Sequence, residues 1–423
     1  MAVESTVQDE KREDIEKSIE RIDSADIVVG IASYNNASTI THVVRAVDAG
    51  LAKYFPRERC VIINSDGGST DHTPELVKNT DFDHRTIFLS HPLYPIHRIT
   101  TPYHGIPGKG SAFRTIFELA KQLNVKACCV VDADLRSITP EWIELLLIPV
   151  LKEGYDFVAP FYSRHKYDGS ITNSIIYPVT RALYGKKIRQ PIGGEFGMSG
   201  RLIEHYLSLK DAWDTDVARF GIDIWMTTEA IAGGFNLCQA YLGAKIHDPK
   251  DPGVHLTDMF VQVVGSLMKL TERHHDVWKQ TKGTEEVPTF GFKFYTGLEP
   301  ISVNIDRMIE LFRLGVDNLK DVWGIFLVED LVGEIERIAR STRHTFHFPD
   351  EVWVRIVYEY MLAFHHKKLS LEHLLKSMVP LYHGRTASFF LEVASLSNDE
   401  AEEKVEKLCQ EFERQKKYLV ELW

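Results

Sequence analysis

Two carboxylates separated by one small residue follow an apolar segment in the first third of the chain. Asp132 and Asp134 flank a single alanine directly after the apolar residues 128–131. Their oxygen atoms suit Mg²⁺ or Mn²⁺, which prefer oxygen ligands and keep positions open for phosphate oxygens. Such a triplet is common in solvated loops, so its position after a predicted strand is what indicates a metal site. His247, which follows another apolar segment, is a candidate third ligand, although a lone histidine is more often structural.

A second polar segment, residues 64–71, combines a carboxylate with glycines and small hydroxyl groups after another apolar run. Asp66 is a candidate acceptor of hydrogen bonds from a nucleobase or a ribose, and the glycines allow a ligand to approach the backbone closely. The alternative is a strand, a turn and a helix cap with no ligand. Thr73 and Pro74 suit the cap and first turn of the next helix, so both interpretations can hold together.

A glycine-rich turn at residues 105–111 carries one lysine, Lys109. The segment looks superficially like a phosphate-binding P-loop, but Lys109 is followed by glycine instead of Ser or Thr, and no strand leads directly into it. A lysine at the start of a helix, here predicted near Ala112, is still well placed to meet a phosphate or a nucleotide. The alternative is a solvated loop lysine.

Two further carboxylates lie in segments that combine glycine with polar or aromatic residues. Glu195 ends the sequence Gln-Pro-Ile-Gly-Gly-Glu, whose glycines give the backbone freedom, and it is a candidate partner for sugar hydroxyls. Asp223 lies in the sequence Gly-Ile-Asp-Ile-Trp, just before a predicted helix. It is either an acidic group of the site or simply the N-cap of that helix.

The elements that position these groups are predicted from hydrophobic periodicity. Short β-branched apolar segments alternate with amphipathic ones up to about residue 162, which predicts an α/β fold with a mainly parallel sheet. The polar motifs follow the predicted strands, at the edge where open α/β sheets bind ligands. Beyond His247 the pattern is almost wholly helical. The predicted strands are residues 27–32, 59–63, 86–89, 127–131, 157–161 and 235–241, a glycine-rich loop covers 190–200, a linker or arm covers 279–300, and the predicted helical segments are 259–270, 305–314, 322–338, 352–364 and 399–423.

The composition limits the classes of partner. The chain has 423 residues and a formal net charge of −11, which argues against nonspecific binding of nucleic acid, because such binding depends on basic surface. Five cysteines without paired spacing suit a reducing compartment. No segment reads as a signal peptide or a membrane span, so we expect a cytoplasmic protein. The apolar-faced helices after Asn304 suit either a core or a homodimer interface.

Taken together, these motifs resemble the retaining GT-A glycosyltransferases that make hexosylglycerates, namely the mannosylglycerate, glucosyl-3-phosphoglycerate and glucosylglycerate synthases. The resemblance covers about residues 27–270, and several motifs in the same order are far more specific than any one of them. The motifs are Pro-Gly-Lys-Gly at 107–110, Asp-Ala-Asp-Leu at 132–135, Pro-Glu-Trp-Ile at 140–143, Arg164 with Asp168 and Thr172, Gln-Pro-Ile-Gly-Gly-Glu at 190–195, Gly-Ile-Asp at 221–223, and His247.

The resemblance implies an architecture and an activity. Residues 27–278 would form a GT-A catalytic domain, preceded by a charged helix at 1–26 and followed by a helical domain at 279–423 that is a candidate for oligomerisation. The enzyme would use a divalent cation, Mg²⁺ or Mn²⁺. It would move glucose or mannose from UDP-glucose, GDP-glucose or GDP-mannose to D-glycerate or 3-phosphoglycerate, forming a hexosylglycerate compatible solute or its phosphate.

The resemblance also implies roles for individual residues. The metal ligands would be Asp134 and His247, and the catalytic set would be Asp134, Glu195 and Asp223. The loop after His247 departs from that of the mannosyl enzymes, and its Lys250 would suit a phosphorylated acceptor. The donor-binding residues would be Ser33, Tyr34, Asn36, Asp66, Lys109, Asp132 and Gly193, and the acceptor-binding residues would be Arg164, Thr172, Gly194 and Lys250.

Three other functions remain open on the sequence. An inverting transferase of the same fold would use Glu195 or Asp223 as a general base for another small or polysaccharide acceptor. A sugar-phosphate nucleotidyltransferase would release pyrophosphate from a nucleoside triphosphate. A non-enzymatic module would bind a nucleotide sugar and recruit a partner through its helical region.

Overall fold

The computed structural model describes residues 22–80, 96–102, 106–246, 256–293 and 301–423. These residues divide into two compact units. The sheet unit contains the described parts of residues 22–163, 192–246 and 287–293, and the helical unit contains residues 164–191, 256–286 and 301–423. This division differs from the predicted boundary at residue 278, because residues 164–191 and 256–278 group with the C-terminal helices. Residues 1–21 of the predicted N-terminal helix lie outside the described part of the chain.

The secondary structure alternates between strands and helices in the first half and is mostly helical in the second. The strands are β1 (Ile27–Ser33), β2 (Cys60–Asp66), β3 (His97–Pro102), β4 (Ala127–Asp132), β5 (Phe157–Ser163), β6 (Lys186–Lys187), β7 (Phe196–Ser199), β8 (Leu237–Ala244), β9 (Glu285–Glu286) and β10 (Thr289–Phe290). The α-helices are α1 (Ile40–Tyr54), α2 (Thr73–Asn79), α3 (Lys109–Gln122), α4 (Pro140–Glu153), α5 (Tyr177–Tyr184), α6 (Gly200–Ser208), α7 (Ile222–Ala232), α8 (Leu256–Arg273), α9 (His275–Gln280), α10 (Ile305–Trp323), α11 (Glu329–Arg340), α12 (Asp350–His365), α13 (Leu371–Val393) and α14 (Asn398–Leu422).

The sheet unit is built on one mainly parallel sheet, which confirms the predicted α/β fold class. Its described strands lie in the order β10-β8-β5-β7-β4-β1-β2-β3, and β7 runs antiparallel to both of its neighbours. The central strands β1, β2 and β4 are apolar along most of their length because helices cover both faces of a parallel sheet. The amphipathic helices α1 and α4 contribute Val43, Val47 and Leu146 to the core beneath it.

Several elements differ from the predictions. The predicted strand at 86–89 lies outside the described residues, and β3 is found instead at His97–Pro102. The predicted loop at 190–200 contains β7, and the predicted linker at 279–300 contains β9 and β10. The predicted helix at 322–338 was wrong as one element, because α10 ends at Trp323 and α11 begins at Glu329. Helix α3 begins at Lys109 itself, three residues before the predicted start.

The helical unit is held together by buried arginines as well as by apolar contacts. Arg181 of α5 pairs with Glu406 and Glu413 of α14 at nitrogen–oxygen distances of 2.5 and 2.7 Å. Arg385 of α13 pairs with Asp350 of α12 at 2.5 Å. Because both arginine side chains are only 3% exposed, their carboxylate partners compensate for the desolvation of the guanidinium groups. Of the helices that the structure describes, none has the length and apolar character needed to cross a membrane.

Candidate active site

The polar motifs meet at one edge of the sheet because their strands are parallel neighbours. In the register of the sheet, Ser33 of β1 lies opposite Asp66 of β2, and Ala32 lies opposite Asp132 of β4. All these residues are at the carboxyl ends of their strands, where an open α/β sheet binds its ligands. The strand order therefore brings the polar groups together at this edge, as the sequence predicted.

Five charged side chains of alternating sign form a continuous row at this edge, which we call the charge chain. It runs Glu195, Lys245, Asp132, Lys109, Asp223, and all five residues belong to the sheet unit. The Lys245 Nζ atom lies 2.9 Å from Oε1 of Glu195 and 2.8 Å from Oδ2 of Asp132. On the other side, the Lys109 Nζ atom lies 2.8 Å from Oδ1 of Asp132 and 3.2 Å from Oδ1 of Asp223. Each ammonium group therefore serves two carboxylates.

Different elements supply the members of the charge chain. Asp132 ends β4, and Lys245 is the first residue after β8. Lys109 is the first residue of α3, and Asp223 lies in the first turn of α7, where Gly221 is the N-cap. Asp223 is therefore not the helix cap, which was the alternative to a role in the site. Glu195 directly precedes β7, so the antiparallel strand brings this carboxylate back to the same edge.

Gly194 has a conformation and surroundings that a larger residue would not fit. Its φ is +98°, in the region that favours glycine. A Cβ atom at this position would lie 2.4 Å from Oδ2 of Asp132 and 2.8 Å from the Lys245 Nζ atom. The neighbouring Gly193 uses its carbonyl oxygen to accept a hydrogen bond of 2.8 Å from Lys245. The glycine pair thus lets the backbone approach the middle of the charge chain.

Burial and neighbouring charges shift the pKa values of the charge chain in opposite directions. Burial alone would raise the pKa of Asp132, but the ammonium groups of Lys109 and Lys245 lower it well below its usual range. Burial raises the pKa of Glu195 to about 7, although Lys245 opposes the shift. Burial also raises the pKa of Asp223 against the effect of Lys109. The central carboxylate is therefore kept ionised, whereas the two outer carboxyl groups hold their protons more strongly.

The loops after β1 and β2 bring together the predicted donor-binding residues Ser33, Tyr34, Asn36 and Asp66. The Asp66 carboxylate accepts hydrogen bonds from the Ser33 hydroxyl at 2.9 Å and from the backbone N–H groups of Gly68 and Ser69 at 2.9 and 2.8 Å. These bonds fill most of its acceptor positions, which favours the structural interpretation of Asp66 as the residue that shapes the loop. Tyr34 is 62% exposed, so its ring is accessible for stacking on a base.

Asn36 fixes the shape of the first of these loops. Its side-chain oxygen accepts a hydrogen bond of 2.8 Å from the backbone N–H of Tyr34, and its own N–H donates to the Thr73 hydroxyl at 2.9 Å. The Thr73 hydroxyl is thus engaged with neighbouring loops, and the N-cap of α2 is His72, one residue before the predicted cap. Asn36 therefore orders the loop that presents Tyr34.

Asp134 lies two residues beyond the end of β4, on a half-buried turn. Ile246, two residues after the end of β8, is hydrogen-bonded to the residues that follow Asp134. The Arg136 N–H donates to the Ile246 carbonyl at 2.8 Å, and the Ile246 N–H donates to the Ser137 hydroxyl at 2.9 Å. The candidate ligand His247 and the candidate acceptor residue Lys250 lie outside the described residues. Within the described ranges, no group of three His, Cys, Asp or Glu side chains could hold a metal ion.

The predicted acceptor residues Arg164 and Thr172 belong to the helical unit, whereas the charge chain lies within the sheet unit. The Arg164 guanidinium pairs with Asp168 at 3.0 Å. Thr172 is buried at the start of a short π-helix, Thr172–Ile176. The two units are therefore associated with different groups of predicted site residues.

Two residues of the site were not predicted from the sequence. Lys245 is the only member of the charge chain that was missed, and Tyr162 of β5 donates a hydrogen bond from its hydroxyl to Glu195. The position of Lys245 directly after the last long strand was a usable signal, since Asp132 was found from the same relationship. Tyr162 had no such signal, because it lies within an apolar aromatic strand.

Comparison with known proteins finds a family match in the first half of the chain. Residues 28–199 match the profile of the family described as Glycosyl transferase family 2. No curated protein matches the chain closely enough to count as a relative. The chain is similar to glucosyl-3-phosphoglycerate synthase from Mycobacterium tuberculosis in complex with Mn²⁺, UDP and glucosyl-3-phosphoglycerate, with 21% identity over 60% of this chain and 82% of that one and a TM-score of 0.44.

A second complex of the Mycobacterium tuberculosis enzyme, with Mn²⁺, UDP-glucose and phosphoglyceric acid, shows 19% identity over 60% of this chain and 83% of that one, with a TM-score of 0.43. The region matched by the family profile runs from β1 to β7 and includes Lys109, Asp132 and Glu195. The match to the glycosyl transferase family 2 profile thus covers residues 28–199, less than half of the chain, and the fold is of the GT-A type.

Proposed function

We propose that the protein is a retaining hexosyltransferase that moves glucose or mannose from a nucleotide-diphosphate sugar to D-glycerate or 3-phosphoglycerate. The product would be a hexosylglycerate, of the kind used as a compatible solute, or its phosphate. The observation that carries this proposal is the charge chain, which is centred on Asp132 at the carboxyl end of β4 inside a family 2 glycosyltransferase domain.

The arrangement around Asp132 supports different roles for the two aspartates of the Asp-Ala-Asp triplet. Both carboxylate oxygens of Asp132 are engaged with ammonium groups, so this residue is poorly suited to bind a cation. We therefore assign the cation to Asp134, on the half-buried turn after β4, with His247 as the second ligand. A divalent cation held there, Mg²⁺ or Mn²⁺, would neutralise charge on the diphosphate leaving group.

The chain's own groups would perform the rest of the donor binding. Lys109 opens α3, so its ammonium group and the partial positive charge of the helix N-terminus act in the same direction on an anion. Tyr34 offers an exposed ring for the base, and Gly194 lets the backbone lie close to Asp132 and Lys245 beside the place proposed for the sugar. Lys245 keeps Asp132 ionised and fixed, so the site needs little rearrangement during the reaction.

The geometry supports retention over inversion. An inverting enzyme needs a carboxylate that can take a proton from the acceptor hydroxyl. Glu195 is fully buried and bonded to Lys245 and Tyr162, and Asp223 is bonded to Lys109. With both candidate bases engaged, we propose that the acceptor hydroxyl attacks from the leaving-group face. The bond between the anomeric carbon and the diphosphate breaks, the bond to the acceptor oxygen forms, and the hydroxyl proton passes to the diphosphate.

For the acceptor, we propose that Arg164 and Thr172 bind the carboxylate and a hydroxyl group. The planar guanidinium fork of arginine pairs with a carboxylate through two parallel hydrogen bonds. Arg164 already pairs with a carboxylate, that of Asp168, so its position suits this chemistry. Lys250 would favour the phosphorylated acceptor.

The test is to incubate the purified protein with Mg²⁺ or Mn²⁺, with each of UDP-glucose, GDP-glucose and GDP-mannose, and with D-glycerate or 3-phosphoglycerate. The product is then identified by NMR. An α-linked hexosylglycerate or its phosphate is expected, and the productive pair identifies the donor and the acceptor together. A β-linked product would instead show an inverting transferase.

Two other outcomes would overturn the proposal. Release of pyrophosphate from a nucleoside triphosphate and a sugar phosphate would show a nucleotidyltransferase. Binding of a nucleotide sugar without turnover on either acceptor would remove the glycerate assignment and leave a binding module or a transferase for another acceptor.

A further inference from the structure

The predicted acceptor residues lie in a stretch of the helical unit that the C-terminal helices hold in place. We call residues 164–174 the acceptor segment, since it contains both Arg164 and Thr172. It follows β5 directly and ends in the short π-helix. Within the helical unit, it makes hydrogen bonds or ring contacts with α12, α13 and α14.

Lys166 makes the most extensive of these contacts. Its ammonium group donates hydrogen bonds to the carbonyl oxygens of Val393, Ala394 and Leu396, at 2.9, 2.8 and 2.7 Å. These carbonyls lie at and just beyond the end of α13, where a helix leaves its last C=O groups without intrahelical partners and carries a partial negative charge. A lysine has three N–H donors, and Lys166 uses all of them here.

The backbone of Lys166 is fixed as well as its side chain. Its N–H donates a hydrogen bond of 2.9 Å to the side-chain oxygen of Asn398, the first residue of α14. Lys166 therefore fastens the acceptor segment to the junction between α13 and α14. It does so two residues from Arg164 and from Asp168, which pair with each other.

Other contacts extend the attachment along the segment. The Tyr167 ring packs on that of Phe390 with centroids 4.8 Å apart. The Ser170 hydroxyl is hydrogen-bonded to that of Tyr382. At the far end, the indole N–H of Trp353 donates to the Ser174 carbonyl at 2.8 Å. The segment is thus held at both ends by helices that the family 2 match does not include.

From these contacts we infer that the C-terminal helices hold the acceptor segment in a fixed conformation, and that Lys166 is a positioning residue for acceptor binding. This inference rests on the proposed function, because it assigns the acceptor to Arg164 and Thr172. Lys166 itself does not touch the acceptor. Its cap on α13 sets the backbone of the acceptor segment, and the segment in turn sets the direction of the Arg164 guanidinium.

The experiment compares the wild-type protein with Lys166→Met, Lys166→Arg and the control Lys376→Met. Methionine keeps an unbranched side chain only one atom shorter than lysine but removes the three donors, whereas arginine restores a cation that can donate to carbonyls. Lys376 lies on α13, the helix whose end Lys166 contacts, but it is exposed and pairs only with Glu372 at 2.7 Å among its described ion pairs. Steady-state kinetics give kcat and separate KM values for donor and acceptor, and hydrogen exchange followed by mass spectrometry measures the protection of residues 164–174.

Lys166→Met is expected to raise the acceptor KM about tenfold, because that change corresponds to the free energy of one charge-assisted contact at a helix end. The donor KM should stay within about twofold of the wild-type value. The acceptor segment should exchange faster, Lys166→Arg should recover part of the loss, and Lys376→Met should behave as wild type. The unchanged donor KM also shows that the variant is folded.

The outcomes separate the two proposals. If the wild-type protein transfers hexose to neither acceptor, the proposed function is wrong. If the wild-type protein is active but Lys166→Met leaves the acceptor KM and the exchange of the segment unchanged, only the role of Lys166 is overturned. Equal increases in both KM values would show a general structural role instead of positioning of the acceptor.

Discussion

The Lys245 Nζ atom lies 2.8 Å from Oδ2 of Asp132, so the residue after the last long strand neutralises the first aspartate of the Asp-Ala-Asp triplet. The two residues are 113 positions apart in the sequence, and only the sheet brings them together. Because Lys245 is also bonded to Glu195, its removal would leave a buried and a half-buried carboxyl group without their shared cation.

Lys245→Met should therefore be strongly destabilising and inactive. Breaking a buried ion pair by removing one partner costs about 3 kcal/mol or more, and the Lys245 side chain is only 6% exposed. We expect the free energy of unfolding in urea to fall by about that amount and kcat to fall by roughly 100-fold or more. The control is Lys152→Met, at an exposed position of α4. A Lys245→Met variant as stable and active as the control would contradict the importance of the charge chain.

Gly194→Ala should impair the site, whereas Gly154→Ala should not. Both glycines have positive φ, +98° and +76°, so alanine pays a similar backbone cost of about 1 kcal/mol at each. Nothing lies within 4 Å of a Cβ atom at Gly154, but one at Gly194 would lie 2.4 Å from an Asp132 oxygen. We expect kcat/KM to fall more than about tenfold for Gly194→Ala alone. Equal losses in the two variants would mean that backbone strain, and not crowding of Asp132, is responsible.

Glu195 should make stability depend on pH. Its pKa is raised by burial from 4.5 to about 7, so the native protein binds a proton that the unfolded chain releases between these values. The contribution of Glu195 to the free energy of unfolding therefore falls as pH rises through this window. Urea unfolding of the wild type and Glu195→Gln from pH 4.5 to 7.5 measures the difference, which should favour the wild type most at the acidic end. A difference that is constant with pH would count against the raised pKa.

Asp134→Ala should abolish cation-dependent turnover while leaving the fold intact. The proposal assigns the cation to Asp134, whose carboxylate lies on a half-buried turn after β4. Titration of Mn²⁺ followed by calorimetry in the presence of UDP should show affinity reduced by roughly 100-fold. Asp211→Ala, at an exposed position, provides the control. If Asp134→Ala retained full turnover and still required the metal, Asp134 would not be a ligand.

The sequence predicts the central strands well because their composition depends on burial. β1, β2 and β4 are covered on both faces, so they appear as continuous apolar segments. β7 is only four residues long, Phe-Gly-Met-Ser, and too short to show a period. The break between α10 and α11 was missed because apolar residues continue across it, including Ile325 and Leu327. Local patterns therefore do not predict short strands or the ends of adjacent helices.

For the site, the sequence identified four of the five members of the charge chain, Asp132 from a strand end and the other three from glycine-containing motifs, but their partners could not be predicted. Lys109 was expected to meet a phosphate, and it is found between Asp132 and Asp223. Asp66 was expected to accept hydrogen bonds from a ligand, and it accepts them from its own loop. Pairing across the sheet depends on distances between residues far apart in sequence, which composition and spacing do not contain.

Because the charges of the charge chain alternate, loss of an outer acid and loss of a lysine should have different consequences. Three carboxylates and two ammonium groups sum to one negative charge when all are ionised. Loss of a terminal acid, Glu195 or Asp223, leaves a neutral row in which every remaining charge still has a partner. Loss of either lysine doubles the net negative charge and isolates an acid. The outer acids could therefore be exchanged singly, whereas a lysine could be lost only together with a neighbouring carboxylate.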